Sequence, residues 1–347
     1  MHQTEESANA PTAAPAAVLT GLGSWLPPRG VTNDELSAHL DTSDTWIRER
    51  IGISVRRRAD PKTATSDLAT EAGARALRSA GVTQADAVVL ATTTPDHPCP
   101  ATAPIVAARL GLVNAAAFDI AAGCSGFLHA TTVAAGLIHS GTADRVLVIG
   151  AETMSAIIDL EDRSTAPIFG DGAGAAVLEA GRPGQPGALG EVVWGSDGEH
   201  ADAIMIPVGG SRNRDSRQSA PHSERHVQMR GNEVFRHAVR RMTAAANRAA
   251  AAAGWEPQDI DRLIVHQANA RISAAVSDAL GVPPERVPSN IATVGNTAAA
   301  SIPLLLADAA AEGTLRPGHR VLLVAFGSGL AWAATTLVWP PGLQAER

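Results

Sequence analysis

Cys124, His266 and Asn296 are the residues of this 347-residue chain whose types and settings best fit chemistry. Cys124 lies in FDIAAGCSGFLHATTVAAGLI, residues 118–138. A short apolar run enters Ala-Ala-Gly, then the cysteine, then an amphipathic helical pattern. Small neighbours let the backbone turn sharply, and a side chain at a helix start meets unpaired amide N–H groups. Such amides favour a thiolate and can hold a thioester oxygen as charge gathers on it. A buried structural thiol, the commonest fate of a free cysteine, fits the same segment. His266 ends the apolar run RLIVH, residues 262–266. A histidine at a strand's carboxyl end faces the crevice where α/β sheets bind ligands. A satisfied core or surface histidine also fits. Asn296 opens an apolar helix in TVGNTAAASIPLLL, residues 293–306, where it serves either chemistry or as an N-cap.

The elements that must position these groups alternate. Short β-branched runs at 87–92, 145–150, 262–266 and 320–325 read as strands. Alanine-rich stretches at 65–80, 125–140, 232–253 and 297–311 read as helices. Strands alternating with helices predict an α/β fold with a largely parallel sheet.

The pattern repeats. AGVTQADAVVLAT (80–92) resembles AGWEPQDIDRLIVH (253–266), and each leads to a helix ending in Leu-Gly. Gly141-Thr142 precedes the strand DRVLVIG, and Gly313-Thr314 precedes HRVLLVAFG. Cys124 stands 17 residues before Gly141, and Asn296 stands 17 residues before Gly313. The two residues therefore hold matching places in two copies of one unit, and two halves packed about a pseudo-two-fold axis would bring them together. The halves are predicted as 16–181 and 182–347, after a disordered polar extension over residues 1–15. Segment 182–230, rich in Gly, Pro, Ser, Arg and His, reads as a mobile loop, inserted at about 196–230. FGDGAG (169–174) and FGSGL (326–330) each precede a strand and read as turns flooring the site. The first lacks the following helix and Lys-Ser/Thr of a phosphate loop.

Bulk composition excludes several classes. Net charge is −7, with no basic footprint for nucleic acid. Cys99 and Cys124 are the only cysteines, too few for a disulfide framework or a Cys-rich zinc site. No apolar run reaches membrane-spanning length, and the start lacks a signal peptide's basic and apolar regions. A cytoplasmic protein is expected. His200, His222 and His226 lie in the polar segment, with no ligand spacing linking them to further metal-binding residues.

Taken together, six motifs resemble β-ketoacyl-acyl-carrier-protein synthase III, of the thiolase-like condensing enzymes. They are DTSDTWI (41–47), FDIAAGCSGF (118–127), FGDGAGAAVL (169–178), GNEVF (231–235), HQANARI (266–272) and GNTAAASIP (295–303). The resemblance runs from about residue 17 to residue 340. It implies a five-layer αβαβα thiolase-like fold and a homodimer. It implies that Cys124 takes an acyl group from acyl-CoA, and that malonyl-ACP then loses carbon dioxide and attacks the acyl-thioester. His266 and Asn296 would hold the malonyl thioester oxygen, and the amides of Cys124 and Ser328 the acyl-cysteine oxygen. Trp46 and Arg163 resemble the pair that sandwiches the CoA adenine. Thr42, Arg50, Asn232 and Asn269 fall near the nucleotide or its pantetheine arm.

Two departures matter. Cys99 stands where relatives often carry a bulky aromatic that shapes the primer pocket, which implies longer or branched primers. Ser277 and Asp278 replace paired lysines, which shifts the expected carrier-protein contact to Arg236, Arg240 and Arg271. No metal, nicotinamide or flavin is implied. Thiolases need a second cysteine near the FGSG turn, which is absent here. The alternatives are a non-decarboxylating acyltransferase or a polyketide starter-unit enzyme of the same fold.

Overall fold

A computed structural model describes residues 14–214 and 219–347. The predicted extension lies outside the described residues through position 13. The first half runs β1 (Ala16–Trp25), α1 (Asp44–Ile51), α2 (Thr65–Ser79), β2 (Ala87–Ala91) and α3 (Ala103–Arg109). It continues with β3 (Ala116–Ile120), α4 (Gly126–His139), β4 (Arg145–Glu152) and β5 (Gly172–Gly181). The second half runs β6 (Val193–Ser196), α5 (Gly231–Ala252), β7 (Arg262–Val265), α6 (Ala270–Leu280), α7 (Ser301–Ala311), β8 (Arg320–Gly327) and β9 (Ala331–Val338).

The first sheet has the order Ala345–Glu346, β1, β5, β4, β2, β3. The second has the order β7, β8, β9, β6. In the first, β2 and β4 are parallel, and β5 is antiparallel to β4 and to β1. In the second, β7 and β8 are parallel, and β9 is antiparallel to β8 and to β6. The series β2-β4-β5-β1 thus has the same pairing senses as β7-β8-β9-β6, which is the repeat read from the sequence.

Burial sorts the helices into layers. On α2, Leu68, Ala69, Ala72, Ala76 and Leu77 form one buried stripe at helical spacing. That stripe and α3 cover the outer face of the first sheet. Helices α5 and α6 cover the outer face of the second. Between the sheets lie α4 and α7, packed on both. On α7 nearly every residue from Ser301 to Ala309 is buried, as a helix covered on all sides requires. β2 is buried along its whole length because both faces of its sheet are covered. The result is the five-layer αβαβα thiolase-like fold.

Two features differ from the linear reading. Segment 182–230 is not simply a loop: Ile204–Met205 pairs antiparallel with Gln228–Met229. Ile204, Val227 and Met229 join Ile157, Phe169 and Cys124 in an apolar cluster. These side chains fold back because burying them outweighs the polar character of the residues between. The halves are also interlocked. Ala345–Glu346 pairs with β1, and α7 packs against β1 and β5. Among the described residues no helix is long and apolar enough to cross a membrane.

Candidate active site

Cys124 sits in a single 3₁₀ turn, Gly123–Ser125, which feeds directly into α4. Gly123 has φ +52°, a left-handed turn that favours glycine. On the other side of the turn stands the end of β8. A Cβ on Gly327 would overlap the Cys124 backbone nitrogen, and one on Gly123 would approach the Ser328 nitrogen to 2.7 Å. The FGSG turn and the cysteine turn are therefore in main-chain contact, with the amides of Cys124 and Ser328 on neighbouring strands of backbone.

His266 follows the last residue of β7, and its N–H donates to the Val324 carbonyl at 2.9 Å. The ring is buried, with Nδ1 2.6 Å from Ser301 Oγ. Ser301 Oγ also accepts the Gln267 N–H at 3.1 Å. Among the described residues His266 Nδ1 is the only acceptor offered to the Ser301 hydroxyl proton, so the hydroxyl donates to it. This assigns the imidazole proton to Nε2. Burial lowers the His266 pKa to about 3, so the ring is neutral at working pH.

Asn296 is buried in the turn before α7. Its main chain bonds Ile168 and Gly170 on the FGDG turn, with Asn296 N to Ile168 O and Gly170 N to Asn296 O both at 2.9 Å. Its side-chain Oδ1 accepts the Ala298 N–H at 2.9 Å. That bond orients the amide and leaves Nδ2–H as a donor. Cys124, His266 and Asn296 line one cavity of about 800 Å³, with Ser328. A thiol and two oriented N–H donors thus share one mostly apolar chamber, where hydrogen bonds to a developing oxyanion gain strength.

The thiol is not pre-ionised. Burial pushes the Cys124 pKa up to about 12, Glu152 raises it further, and its own backbone N–H opposes them. The sequence predicted that helix-start amides would favour thiolate, and desolvation outweighs them. Glu152, the last residue of β4, was not predicted. It is fully buried and accepts the Thr93 N–H at 3.0 Å. Three hydroxyls also donate to it: Thr92 at 3.3 Å, Thr93 at 3.0 Å and Thr94 at 2.8 Å. Burial raises its pKa to about 7 against those bonds. Thr93 itself lines the cavity.

The exposed end of the cavity carries charge. Trp46, Arg50, Arg163, Asn232, Arg236, Asn269 and Arg271 line it. Arg163 lies over Trp46, 5.4 Å from the ring centroid, and bonds Asp41. A planar ring entering between them would displace that contact. Asn269 caps α6 through the Arg271 N–H and donates to the Arg50 carbonyl, which holds α6 against α1. Arg271 lies over Phe235.

Three predicted residues lie elsewhere. Arg240 borders a separate surface pocket with Arg236, His200 and His237. Thr42 lies outside the cavity wall, with a buried hydroxyl and no partner among the described residues. Cys99 is exposed and outside the cavity of its own chain. Asp96 holds the Cys99 loop at the surface: its N–H donates to Thr102 Oγ1, and its Oδ1 accepts the Ser66 N–H. Ser301, like Glu152, was missed: it opens α7 and reads as an ordinary helix start. The two Gly-rich turns do reach the cavity, through Phe169 and through Phe326, Gly327 and Ser328.

Comparison with known proteins adds to this geometry. Residues 118–198 match the family described as 3-oxoacyl-[acyl-carrier-protein] synthase III, and residues 250–339 match its C-terminal family. The chain is 57% identical over 327 residues to β-ketoacyl-[acyl-carrier-protein] synthase III 3 of Streptomyces coelicolor, covering 94% of this chain and 98% of that one. The crystal structure of the Pseudomonas aeruginosa synthase III superposes with a TM-score of 0.88 at 48% identity, covering 94% of this chain and 98% of the other. The priming β-ketosynthase of a polyketide pathway also reaches 0.88, at 36% identity over 96% of this chain and 99% of the other. With the cysteine, histidine and asparagine in one chamber and likeness along nearly the whole chain, this protein belongs to the β-ketoacyl-acyl-carrier-protein synthase III family.

Proposed function

We propose that the protein joins an acyl primer to malonyl-ACP by decarboxylative Claisen condensation, starting a fatty-acid chain. The observation that carries this reading is the pairing of oriented donors with a thiol. His266 Nε2–H and Asn296 Nδ2–H are fixed from behind by Ser301 and the Ala298 amide, in the chamber that holds Cys124.

In the first step the Cys124 sulfur forms a bond to the thioester carbon of acyl-CoA. The CoA thiolate leaves, and it takes up the thiol proton as free CoA. The amides of Cys124 and Ser328 hold the carbonyl oxygen. In the second step the malonyl C–CO₂ bond breaks. The electron pair passes into an enolate whose oxygen accepts from His266 and Asn296. The enolate carbon attacks the acyl carbon, and the C–S bond to Cys124 breaks. The sulfur then takes one proton from solvent, leaving β-ketoacyl-ACP and carbon dioxide. A neutral His266 suits this role, since it donates without needing to titrate.

Trp46 and Arg163 would bind the CoA adenine, with Thr42, Arg50, Asn232 and Asn269 along the nucleotide and its arm. Arg236, Arg240 and Arg271 form an exposed basic edge for the acidic carrier protein. The reading needs no metal, nicotinamide or flavin, and it places a homodimer in the cytoplasm. A primer-pocket role for Cys99 would require that residue to reach a partner subunit's cavity.

Polyketide chain initiation is the second reading, supported by the similarity to a priming β-ketosynthase. Intact-protein mass spectrometry with a panel of acyl-CoAs, then malonyl-ACP, tests the proposal. The expected result is an acyl adduct absent from Cys124→Ala and discharged as β-ketoacyl-ACP. An adduct that malonyl-ACP leaves in place, but another acceptor discharges, would make the protein a non-decarboxylating acyltransferase. Primer and carrier preference would separate the fatty-acid from the polyketide role.

A further inference from the structure

Among the described residues, two groups of side chains that could ligate a metal lie outside the proposed catalytic residues, and they differ in their surroundings. Asp159, His222 and His226 form one, and Asp197, His200 and His237 the other. In each, three possible ligand atoms lie within 4.8 Å of one another. No spacing in the sequence announces the first group, because Asp159 stands 63 residues before His222.

We propose that Asp159, His222 and His226 bind a divalent transition-metal cation of the zinc class. His226 Nδ1 lies 2.9 Å from the His222 carbonyl, so it donates there and leaves Nε2 as a lone-pair donor. A backbone carbonyl behind the ring is the usual support of a metal-bound histidine. His222 Nδ1 faces Asp159 Oδ2 at 3.2 Å, and the two imidazole rings lie 4.5 Å apart, centroid to centroid. Loading a cation displaces the proton between His222 and Asp159. Two imidazoles and one carboxylate, with open positions left for water, suit zinc.

The local charge favours this group over its counterpart. Glu161 and Asp162 follow Asp159 in its turn, and Glu224 lies between the two histidines. Arg225 is turned to the Ala220 carbonyl. In the second group Arg241 already occupies the Asp197 carboxylate at 2.6 Å, and Arg236 and Arg240 border the same pocket. A cation there would meet three guanidinium groups.

The site would tie two walls of the cavity together. Asp159 belongs to the segment carrying Met154, Ile157 and Arg163, and His226 precedes Val227 and Met229. One backbone bond already joins them, Val227 N–H to Ile157 O at 3.0 Å. A bound cation would add a second tie on the solvent side.

The test is titration of the chelator-stripped, full-length protein with Co²⁺, followed by visible d–d absorption, and with Zn²⁺, followed by calorimetry. One cation per chain is expected in the wild type and in His200→Ala/His237→Ala. Affinity should fall about a hundredfold in His222→Ala/His226→Ala. Zn²⁺ should also slow hydrogen exchange across 219–229 in the wild type and not in that variant. Circular dichroism without metal checks that both double variants are folded. Three results overturn the proposal: no binding, binding kept in His222→Ala/His226→Ala, or a thiolate charge-transfer band that puts cobalt on Cys99 or Cys124.

Discussion

The two halves of the molecule share one chain path and differ at three matched positions around the cavity. Cys124 in the first half stands where Asn296 stands in the second. By sheet register, Ala91 at the end of β2 matches His266 after β7, since Leu90 pairs with Ile149 as Val265 pairs with Val324. Glu152 at the end of β4 matches Gly327 at the end of β8. The first half therefore holds a thiol beside a buried carboxyl, and the second holds two N–H donors. Ala91 is small where His266 is large because the start of α4 packs there, with a Cβ on Gly126 only 3.1 Å from that of Ala91. The repeat supplies the geometry, and the departures from symmetry supply the groups on which the proposed reaction depends.

The comparison breaks most sharply if the halves are separated by reaction step. His266→Ala or Asn296→Ala should each lower the condensation rate about 10²- to 10³-fold, the usual loss for one oxyanion donor. Acylation of Cys124 should stay within about tenfold of wild type, read from single-turnover mass spectra. Equal losses in both steps would mean that the second half also serves acyl transfer.

Glu152 tests what the first half's carboxyl costs. Its folded pKa of about 7 lies above the 4.5 of an ordinary glutamate, so the native state holds the proton more tightly. Glu152's contribution to stability is then greatest below pH 4.5 and falls as pH rises to 7, by about 3 kcal/mol in all. Glu152→Gln should remove that contribution from the pH dependence, measured by urea unfolding of variant against wild type at fixed protein concentration across this range. Iodoacetamide should also alkylate Cys124 faster in the variant at alkaline pH, since one source of its raised pKa is gone.

A pair of glycines sharpens the comparison further. A Cβ on Gly150 would strike the Ala299 carbonyl in the turn after Asn296, and one on Gly327 would strike the Cys124 nitrogen. Each half thus makes room for the other half's reactive turn. Gly150→Ala and Gly327→Ala should each cost about 1–3 kcal/mol by thermal unfolding. Gly327→Ala should slow acylation in addition, whereas Gly150→Ala should act on condensation. The smallest effect concerns the proton on His266. Ser301→Ala removes the donor to Nδ1, and condensation should fall about tenfold, with acylation unchanged.

The meeting of Cys124, His266 and Asn296 in one cavity was legible because each stands at a junction, between an element ending and another beginning, in a chain that repeats itself. Glu152 was not, since it closes an apolar strand and its threonine partners stand 58 to 60 residues earlier. Ser301 was hidden for a like reason, 35 residues beyond the ring it orients. The polar segment 182–230 misled in another way. Its composition is that of a loop, yet Ile204, Val227 and Met229 are enough to seat it in the cavity wall. Pairing across the fold, rather than local pattern, decided each of these.

The strand Ala345–Glu346 lies beside β1, with Leu22 opposite Ala345. Synthesis proceeds from the amino end, so β1 is made long before its neighbour. The edge of the first sheet remains uncovered on the ribosome while more than three hundred residues are added. Helix α7, which fills the space beneath the same strand, arrives nearly as late. The first half therefore cannot close its core before the second half has been made, and Cys124 is not set in its chamber until that half has joined it.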